Sequence, residues 1–287
     1  MTEFLVDPQH HDEWVNMAQA SRVMHRVLTS VGDPASGSAF IQINELYPWE
    51  KASDWSRGYL TAALQHLLFW ADHIAPFKFH PEQRVGHTLR PVQTLARAAI
   101  EASAQAVWML SGNSAQECAR RHLRLIRCDI DEQKKSLPLA EKVRMDEADK
   151  ILLARVSEGC SSKDLGPISY FDAIRSACLK VDVAPEEAEL IWRAASGSAH
   201  GKRWPTLALQ HVVPGEEYEP GQFRTIMVPD ASAMTDVLSL ADKMTTYGVL
   251  RFADYSGADI GSLLTEAKTW LGGIIPLKEG VTRDSLP

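Results

Sequence analysis

The sequence predicts a mainly α-helical bundle of about eight to ten helices with one small β-hairpin inserted late in the chain. Apolar residues recur every three or four positions through most of the chain, which is the spacing of one buried helix face. Segments rich in Gly, Pro and Ser divide these stretches into lengths typical of helices. After Trp204-Pro205 the pattern changes to two β-branched or alternating runs, which predict the hairpin.

Start and stop signals bound most of the helices. Asp7-Pro8 combines a capping carboxylate with a proline in the first turn, and Ser114 with Glu117 forms a capping box. Pro76 ends a long helix. These signals and the helical spacing predict helices over about 7–28, 52–75, 87–110, 115–135, 138–160, 170–180, 185–200, 231–255 and 259–275.

Three segments are not predicted to be helices. Residues 41–49 are ambiguous between a short strand, since Ile41 and Ile43 alternate with polar residues, and an irregular linker. The hairpin is predicted as strands over 206–213 and 223–228 joined by a long loop. Residues 276–287 are predicted to be a frayed tail.

Length and composition narrow the class of protein. With no flexible linker dividing it, the 287-residue chain is expected to be a single domain, with its core at about 52–204, the hairpin at 206–228 and C-terminal helices at 231–275. The formal charge of −7 argues against coating nucleic acid through bulk charge. Four widely spaced cysteines, no secretion signal and no long apolar run predict a cytoplasmic protein without a membrane partner.

Arg193 and His200 are the leading candidates for catalysis. They lie seven residues apart near the end of a predicted helix, so both fall within roughly 20° of one helix face. Gly201 is expected to take positive φ and stop the helix. A histidine can take a proton from a 2′-hydroxyl, and an arginine can hold a phosphate. The structural alternative is that Glu189 pairs with Arg193 on the helix surface.

The Arg-x6-His pattern of Arg193 and His200 resembles the Arg-x4-6-His signature of HEPN ribonucleases. That resemblance implies a helical bundle in which two protomers bring their motifs together and cleave RNA without a metal. Members of that superfamily often place a polar residue after the arginine, where this chain has Ala194.

Arg97 and Glu101 lie one helical turn apart in the Ala-rich segment 95–108. This segment is similar to the Arg-x3-Glu helix of helical proteins common in actinobacteria, some of them HEPN-like, which also carry a later His-Gly step, here His200-Gly201. The resemblance covers about residues 89–204. If the pair is buried against the Arg193 helix, Glu101 is expected to orient His200 or Arg193, and the alternative is an ordinary structural ion pair with Arg97.

A third pattern concerns phosphate binding. Arg120, Arg124 and Arg127 share one helix face, and together with Lys202 and Arg203 they are predicted to form an RNA-binding strip. The alternative is a solvated face balanced by nearby acidic residues, Asp129, Asp131 and Glu132.

No cofactor or metal is predicted. The sequence has no Walker motif, GxGxxG, GxSxG or HExxH. His66, His73, His80 and His87 recur every seven residues, but prolines interrupt the series and metal ligands on helices favour a spacing of four.

Two functional hypotheses follow. The first is a HEPN-like, metal-independent endoribonuclease that acts as a toxin or in defence against mobile elements, with His200 as general base, Arg193 as the phosphate-binding group and Glu101 orienting one of them. Its expected partners are RNA, a second copy in a homodimer built on Trp192, Trp204 and the Ala-rich helix, and an antitoxin. The second is a non-catalytic helical protein that binds a partner protein or a small ligand, with the hairpin as its recognition element.

Overall fold

The computed structural model describes residues 6–78, 85–156 and 162–275. Within these ranges the chain is mainly helical, as predicted, with eleven α-helices, one 3₁₀ turn (Ser162–Leu165) and two strands. The helices are α1 (Pro8–Ser30), α2 (Ala39–Leu46), α3 (Ala52–Ile74), α4 (Leu89–Leu110), α5 (Ala115–Ser136), α6 (Leu139–Arg155), α7 (Tyr170–Cys178), α8 (Pro185–Ala199), α9 (Arg203–Ala208), α10 (Ala231–Ser256) and α11 (Ile260–Ile274). The strands are β1 (Gln210–Glu219) and β2 (Gln222–Pro229).

Side chains cap several helices as their sequences predict. The carboxylate of Asp7 accepts a hydrogen bond from the backbone N–H of Gln9 at 2.8 Å. The hydroxyl of Ser114 accepts one from the N–H of Glu117 at 3.1 Å. The predicted capping box is only half formed, however, because the Glu117 carboxylate binds Arg120 and Arg121 instead of reaching back.

Two segments differ from their predicted structure. Residues 39–46 form α2, in which Phe40 and Ile43 are buried in the core, so burial on one side favoured a helix over the strand or linker. α6 ends at Arg155, five residues before the predicted end at Cys160. Residues 157–161 lie outside the described residues, as does the predicted C-terminal tail.

α4 is the central helix of the bundle and packs against α3, α10, α7, α8 and α5. Four of its six alanines are buried and let its neighbours approach closely: Ala96, Ala99, Ala104 and Ala106. The approach is closest where α3, α4 and α10 meet: a Cβ on Gly248 of α10 would come within 2.6 Å of Leu60 of α3 and 3.3 Å of Val107 of α4. α4 therefore fixes the position of α8, which carries the leading candidate residues.

The hairpin is more regular than predicted. The segment 206–208 belongs to α9, and β1 and β2 pair antiparallel from Gln210↔Pro229 to Glu219↔Gln222. The expected long loop is instead strand, closed by a tight turn in which Gly221 has φ +73°. Apart from its pairing with β2, β1 packs on α9, and no other described element has a comparable contact with the hairpin.

None of the helices in the described part of the chain combines the length and apolar character needed to span a bilayer.

Candidate functional site

α8 ends where the sequence predicts, and the ending exposes the candidate histidine. Gly201 has φ +69°, its N–H bonds to the carbonyl of Ser198 at 3.1 Å, and the N–H of Lys202 bonds to the carbonyl of Gly197 at 2.9 Å. These bonds satisfy the last carbonyls of the helix. The chain then turns directly into α9, and Pro205 packs so closely on Gly197 that a Cβ there would lie 2.7 Å from it.

His200 is the residue that terminates α8. Its side chain is exposed, and its ring nitrogens have no hydrogen-bond partner in the described part of the chain. Both ring nitrogens are therefore accessible to a bound ligand.

Arg193 lies two turns earlier on α8. Its Nε donates to Glu189 at 2.7 Å, which is the pairing that the structural alternative predicts. The guanidinium also lies 5.4 Å from the ring centre of Phe171 and 5.9 Å from that of Trp192. The side chain is nevertheless 58% exposed, and no acceptor among the described residues binds its two terminal nitrogens.

Glu101 contacts neither His200 nor Arg193. Its carboxylate accepts a hydrogen bond from the indole N–H of Trp192 at 2.8 Å and lies 2.9 Å from Arg97. Trp192 in turn stacks on Phe171, with ring centres 5.9 Å apart. Glu101 therefore holds the aromatic pair against which Arg193 lies, and does not hold the arginine directly.

Arg90 of α4 binds the end of α8, and the sequence did not predict this contact. Its guanidinium donates to the carbonyl of Ser198 at 2.8 Å and to the hydroxyl of Thr206 at 3.1 Å. A cation at the end of a helix is favoured by the helix dipole. Nothing local in the sequence signals this role, because Arg90 and Ser198 are 108 positions apart.

The predicted phosphate-binding strip is divided between two regions. Lys202 and Arg203 are exposed beside His200. Arg120, Arg124 and Arg127 lie on α5, which packs on α2, α4 and α6, whereas α8 packs on α4, α7, α9 and α10. The structure thus brings only Lys202 and Arg203 next to the candidate catalytic pair.

The α5 arginines are engaged by the segment that follows α6. Arg120 donates to the carbonyl of Asp164 at 3.1 Å, and Arg124 donates to those of Gly166 and Pro167 at 2.7 and 3.2 Å. Arg127 binds Asp149 of α6 at 2.6 Å and the carbonyl of Leu165 at 2.8 Å. These guanidiniums satisfy backbone carbonyls of an irregular segment.

Neither Arg193 nor His200 lines either of two clefts in the described part of the chain. One, of about 440 Å³, is lined by Tyr59, Gln105, Leu125, Cys128, Asp129, Asp131, Glu132, Lys135, Pro167, Ile168, Ser169, Tyr170 and Ala173. Burial, together with the charge of Asp129, raises the pKa of Tyr59 well above its usual value. The second, of about 390 Å³, lies between α5 and α6 and borders Tyr47, Trp55 and Arg155.

Of the four histidines that recur every seven residues, the structure describes His66, His73 and His87. His73 and His87 lie edge to face with ring centres 5.9 Å apart, and burial and the neighbouring His73 lower the pKa of His87 to about 4. His80 lies outside the described residues. Within the described ranges, no group of three His, Cys, Asp or Glu side chains could hold a metal ion.

No protein-family model, curated protein or solved structure matches this chain.

Proposed function

We propose that this chain is a HEPN-like endoribonuclease in which His200 is the general base and Arg193 binds the scissile phosphate. The observation that carries the proposal is that both side chains are exposed on one helix while His200 has no competing partner in the described chain. An imidazole near neutral pH can remove the 2′-hydroxyl proton of RNA. The 2′-oxygen then attacks the adjacent phosphorus to form a 2′,3′-cyclic phosphate, and the 5′-oxygen of the next nucleotide leaves and takes a proton from water.

Arg193 suits the second role because its bond to Glu189 uses only Nε. The terminal nitrogens can bind two phosphate oxygens in the bidentate geometry that guanidinium favours. The contact with Glu189 is an exposed i,i+4 pair, and such pairs contribute only about 0.3–0.5 kcal/mol, so the incoming phosphate displaces little.

The surroundings supply further positive charge and a positioning residue. Lys202 and Arg203 are exposed next to His200 and would attract the RNA backbone. Glu101 acts through Trp192, whose indole it fixes under Arg193. We also propose a cytoplasmic toxin or defence role. Cys118, Cys128 and Cys178 are free thiols, which is consistent with a reducing compartment.

The test is cleavage of a structured RNA by the purified chain in the presence of a chelator. His200→Ala should abolish cleavage without changing the unfolding curve, because the exposed ring contributes nothing to packing. His211→Ala is the matched control, since His211 is also an exposed histidine beyond α8. Expression of the wild-type chain should also arrest growth, and His200→Ala should relieve the arrest.

Cleavage that persists in the His200 variant would show that a contaminating nuclease is responsible and would refute the proposal. Complete absence of cleavage by the wild-type chain on single-stranded, double-stranded and transfer RNA would also count against it.

A second candidate function is supported by the 440 Å³ cleft. Its volume lies in the range of small-ligand sites, and no residue in the described ranges binds the hydroxyls of Tyr59 and Tyr170, which border it. Asp129, Asp131 and Glu132 would favour a positively charged ligand over an anion. A thermal shift with organic amines that Tyr59→Phe weakens, in a chain that cleaves no RNA, would favour this binding function.

A further inference from the structure

Trp204 is a large exposed aromatic side chain in the first turn of α9, beside the end of α8. The residue is 48% exposed. Its indole lies against Gly197 of α8, because a Cβ built on that glycine would come within 3.3 Å of the ring atoms Cε2 and Cζ2. The glycine therefore leaves room for the ring to lie directly on the helix backbone.

The contact between the indole and Gly197 lies between the two candidate catalytic residues. Arg193, Gly197 and His200 are spaced i, i+4 and i+7 along α8, so they share one helix face. At 1.5 Å per residue, Gly197 is about 6 Å along the helix axis from Arg193 and about 4.5 Å from His200. Trp204 therefore covers the part of the helix surface that separates these two residues.

Two further contacts hold α9 in this position. Pro205 is buried, and the same Cβ on Gly197 would lie 2.7 Å from its Cγ. Arg90 of α4 donates to the hydroxyl of Thr206 at 3.1 Å and to the carbonyl of Ser198 at 2.8 Å, so it joins α9 to α8. The indole is thus presented on a fixed support, which lowers the entropy cost of binding a ligand to it.

The indole of Trp204 has no aromatic or cationic partner in the part of the chain that the structure describes. Trp49 and Trp270 are also exposed, but a guanidinium lies near each ring: that of Arg155 at 5.2 Å and that of Arg26 at 5.8 Å. Tryptophan offers a large rigid apolar surface, which favours contact with a ligand where the ring is exposed. Trp204 differs from the other two because its ring is available.

The surroundings of Trp204 are basic, although the whole chain has a net charge of −7. Lys202 and Arg203 directly precede it and are exposed, and segment 200–210 contains no Asp or Glu. Arg193 adds an exposed cation on α8. Proteins bind single-stranded nucleic acid with this combination, in which bases stack on an aromatic ring and cations bind the phosphates. The local charge therefore favours a polyanion as the ligand of the indole.

We propose that Trp204 is a stacking surface for one base of a single-stranded RNA. The inference rests on the proposed ribonuclease function, because it specifies the form of RNA that the same site accepts. A base can lie flat on the indole only when it is unpaired and splayed out, so a duplex cannot make this contact. The stacked base would hold its ribose and the adjoining phosphate near Arg193 and His200, and Lys202 and Arg203 would bind neighbouring phosphates.

Salt separates the contribution of stacking from that of charge. Contacts between cations and phosphates release counterions and weaken as salt rises, whereas stacking on an uncharged ring releases none. Trp204→Ala should therefore lower the affinity for single-stranded RNA by about tenfold or more at every salt concentration. Lys202→Ala should instead reduce the slope of log affinity against log salt by about one.

The experiment is fluorescence anisotropy of a labelled single-stranded 2′-O-methyl oligoribonucleotide titrated with the full chain. This probe has no 2′-hydroxyl to attack the phosphate, so binding is measured without cleavage. Trp204→Phe should keep most of the affinity, because phenylalanine retains a ring, and the same sequence as a duplex should bind more weakly. Trp270→Ala is the matched control, since Trp270 is an exposed tryptophan on α11, which packs on α1 and α10 instead of α8.

Equal affinity of Trp204→Ala and Trp270→Ala, equal affinity for duplex and single strand, or no binding by the wild-type chain would overturn the inference. A Trp204→Ala variant that changes from dimer to monomer in sedimentation, with unchanged affinity for the probe, would assign the ring to a protein interface instead. Trp204-dependent binding in a chain that cleaves no RNA would refute only the nuclease proposal. Cleavage of RNA by a chain whose binding does not depend on Trp204 would refute only the stacking.

Discussion

Two helical segments of this molecule carry arginines and a histidine within a few turns of each other, and their environments are opposite. In α5, Arg124 and Arg127 bind backbone carbonyls or Asp149, and His122 is 1% exposed. At the end of α8, Arg193 and His200 are exposed. In α5 these residue types hold the segment after α6 in place. At the end of α8 the same types remain available to a ligand.

The difference comes from what packs over each helix. α5 is covered by α6 and by residues 162–168, whose irregular backbone presents carbonyls that need donors. On α8, Arg193 lies against Phe171 and binds Glu189, and among the described residues no backbone carbonyl binds its guanidinium. A basic face is therefore a candidate binding surface only where no irregular segment lies against it.

After the loss expected for His200→Ala, the largest expected effect concerns Arg193. If the α8 end is catalytic, Arg193→Ala should lower the rate of RNA cleavage by about 10²- to 10³-fold, as loss of a group that stabilises developing charge does. The unfolding free energy should hardly change. Arg175→Ala is the matched control, because Arg175 lies 5.5 Å from the same Phe171 ring. Equal losses in both variants would mean that the aromatic contact matters and the phosphate role does not.

The second effect is a pH dependence of stability that arises from His122. Its Nε2 donates to the carbonyl of Glu50 at 2.7 Å, and burial lowers its pKa from 6.5 to about 4. As the pH falls from above 6.5 towards 4, the unfolded chain binds a proton that the folded chain does not, so stability is lost. The two pKa values differ by an amount that corresponds to about 3 kcal/mol.

Urea unfolding between pH 7.5 and 4 checks this prediction. Other groups titrate in the same range, so the comparison is with His122→Gln, whose amide can keep the bond to Glu50 and cannot be protonated. The difference in stability between the two proteins should diminish or reverse in favour of the glutamine variant as the pH falls. A constant difference across the range would show that His122 does not titrate differently on unfolding.

Arg127→Ala should lower stability by about 2 kcal/mol, because it leaves Asp149 and the carbonyl of Leu165 without this donor in a partly buried site. Cleavage of RNA by the remaining folded protein should be unchanged. Thermal unfolding and a cleavage assay well below the transition check both parts. A large loss of RNA affinity without loss of stability would instead show that Arg127 binds RNA, as the predicted phosphate-binding strip requires.

The smallest effect is expected for Glu189→Ala. The exposed pair with Arg193 contributes no more than about 0.5 kcal/mol, so unfolding should barely change. Removing the competing carboxylate should leave RNA cleavage equal or slightly faster. A marked fall in cleavage would show that Glu189 positions Arg193, which would contradict the view that the pair is incidental.

Structural features that depend on residues close in sequence could be predicted, whereas features that depend on distant residues could not. The caps at Asp7 and Ser114 and the stop at Gly201 were predicted correctly because each acts on backbone groups a few residues away. Residues 41–49 were ambiguous between a short strand and an irregular linker, and the helix that covers most of this segment is explained by the burial of Phe40 and Ile43 against the core. The bonds of Arg90 to Ser198 and of Glu101 to Trp192 had no local signal.

By itself the sequence determined that the chain is a helical bundle with one hairpin, and that an arginine and a histidine lie together at the end of one helix. Helix periodicity and helix termini depend on neighbours within a turn or two, so they can be read along the chain. The tertiary structure alone decided which arginines are occupied, because the carbonyls that bind Arg124 lie 42 and 43 positions away. It also decided that the irregularities of the hairpin fall in β1, because register shifts depend on how the two strands align.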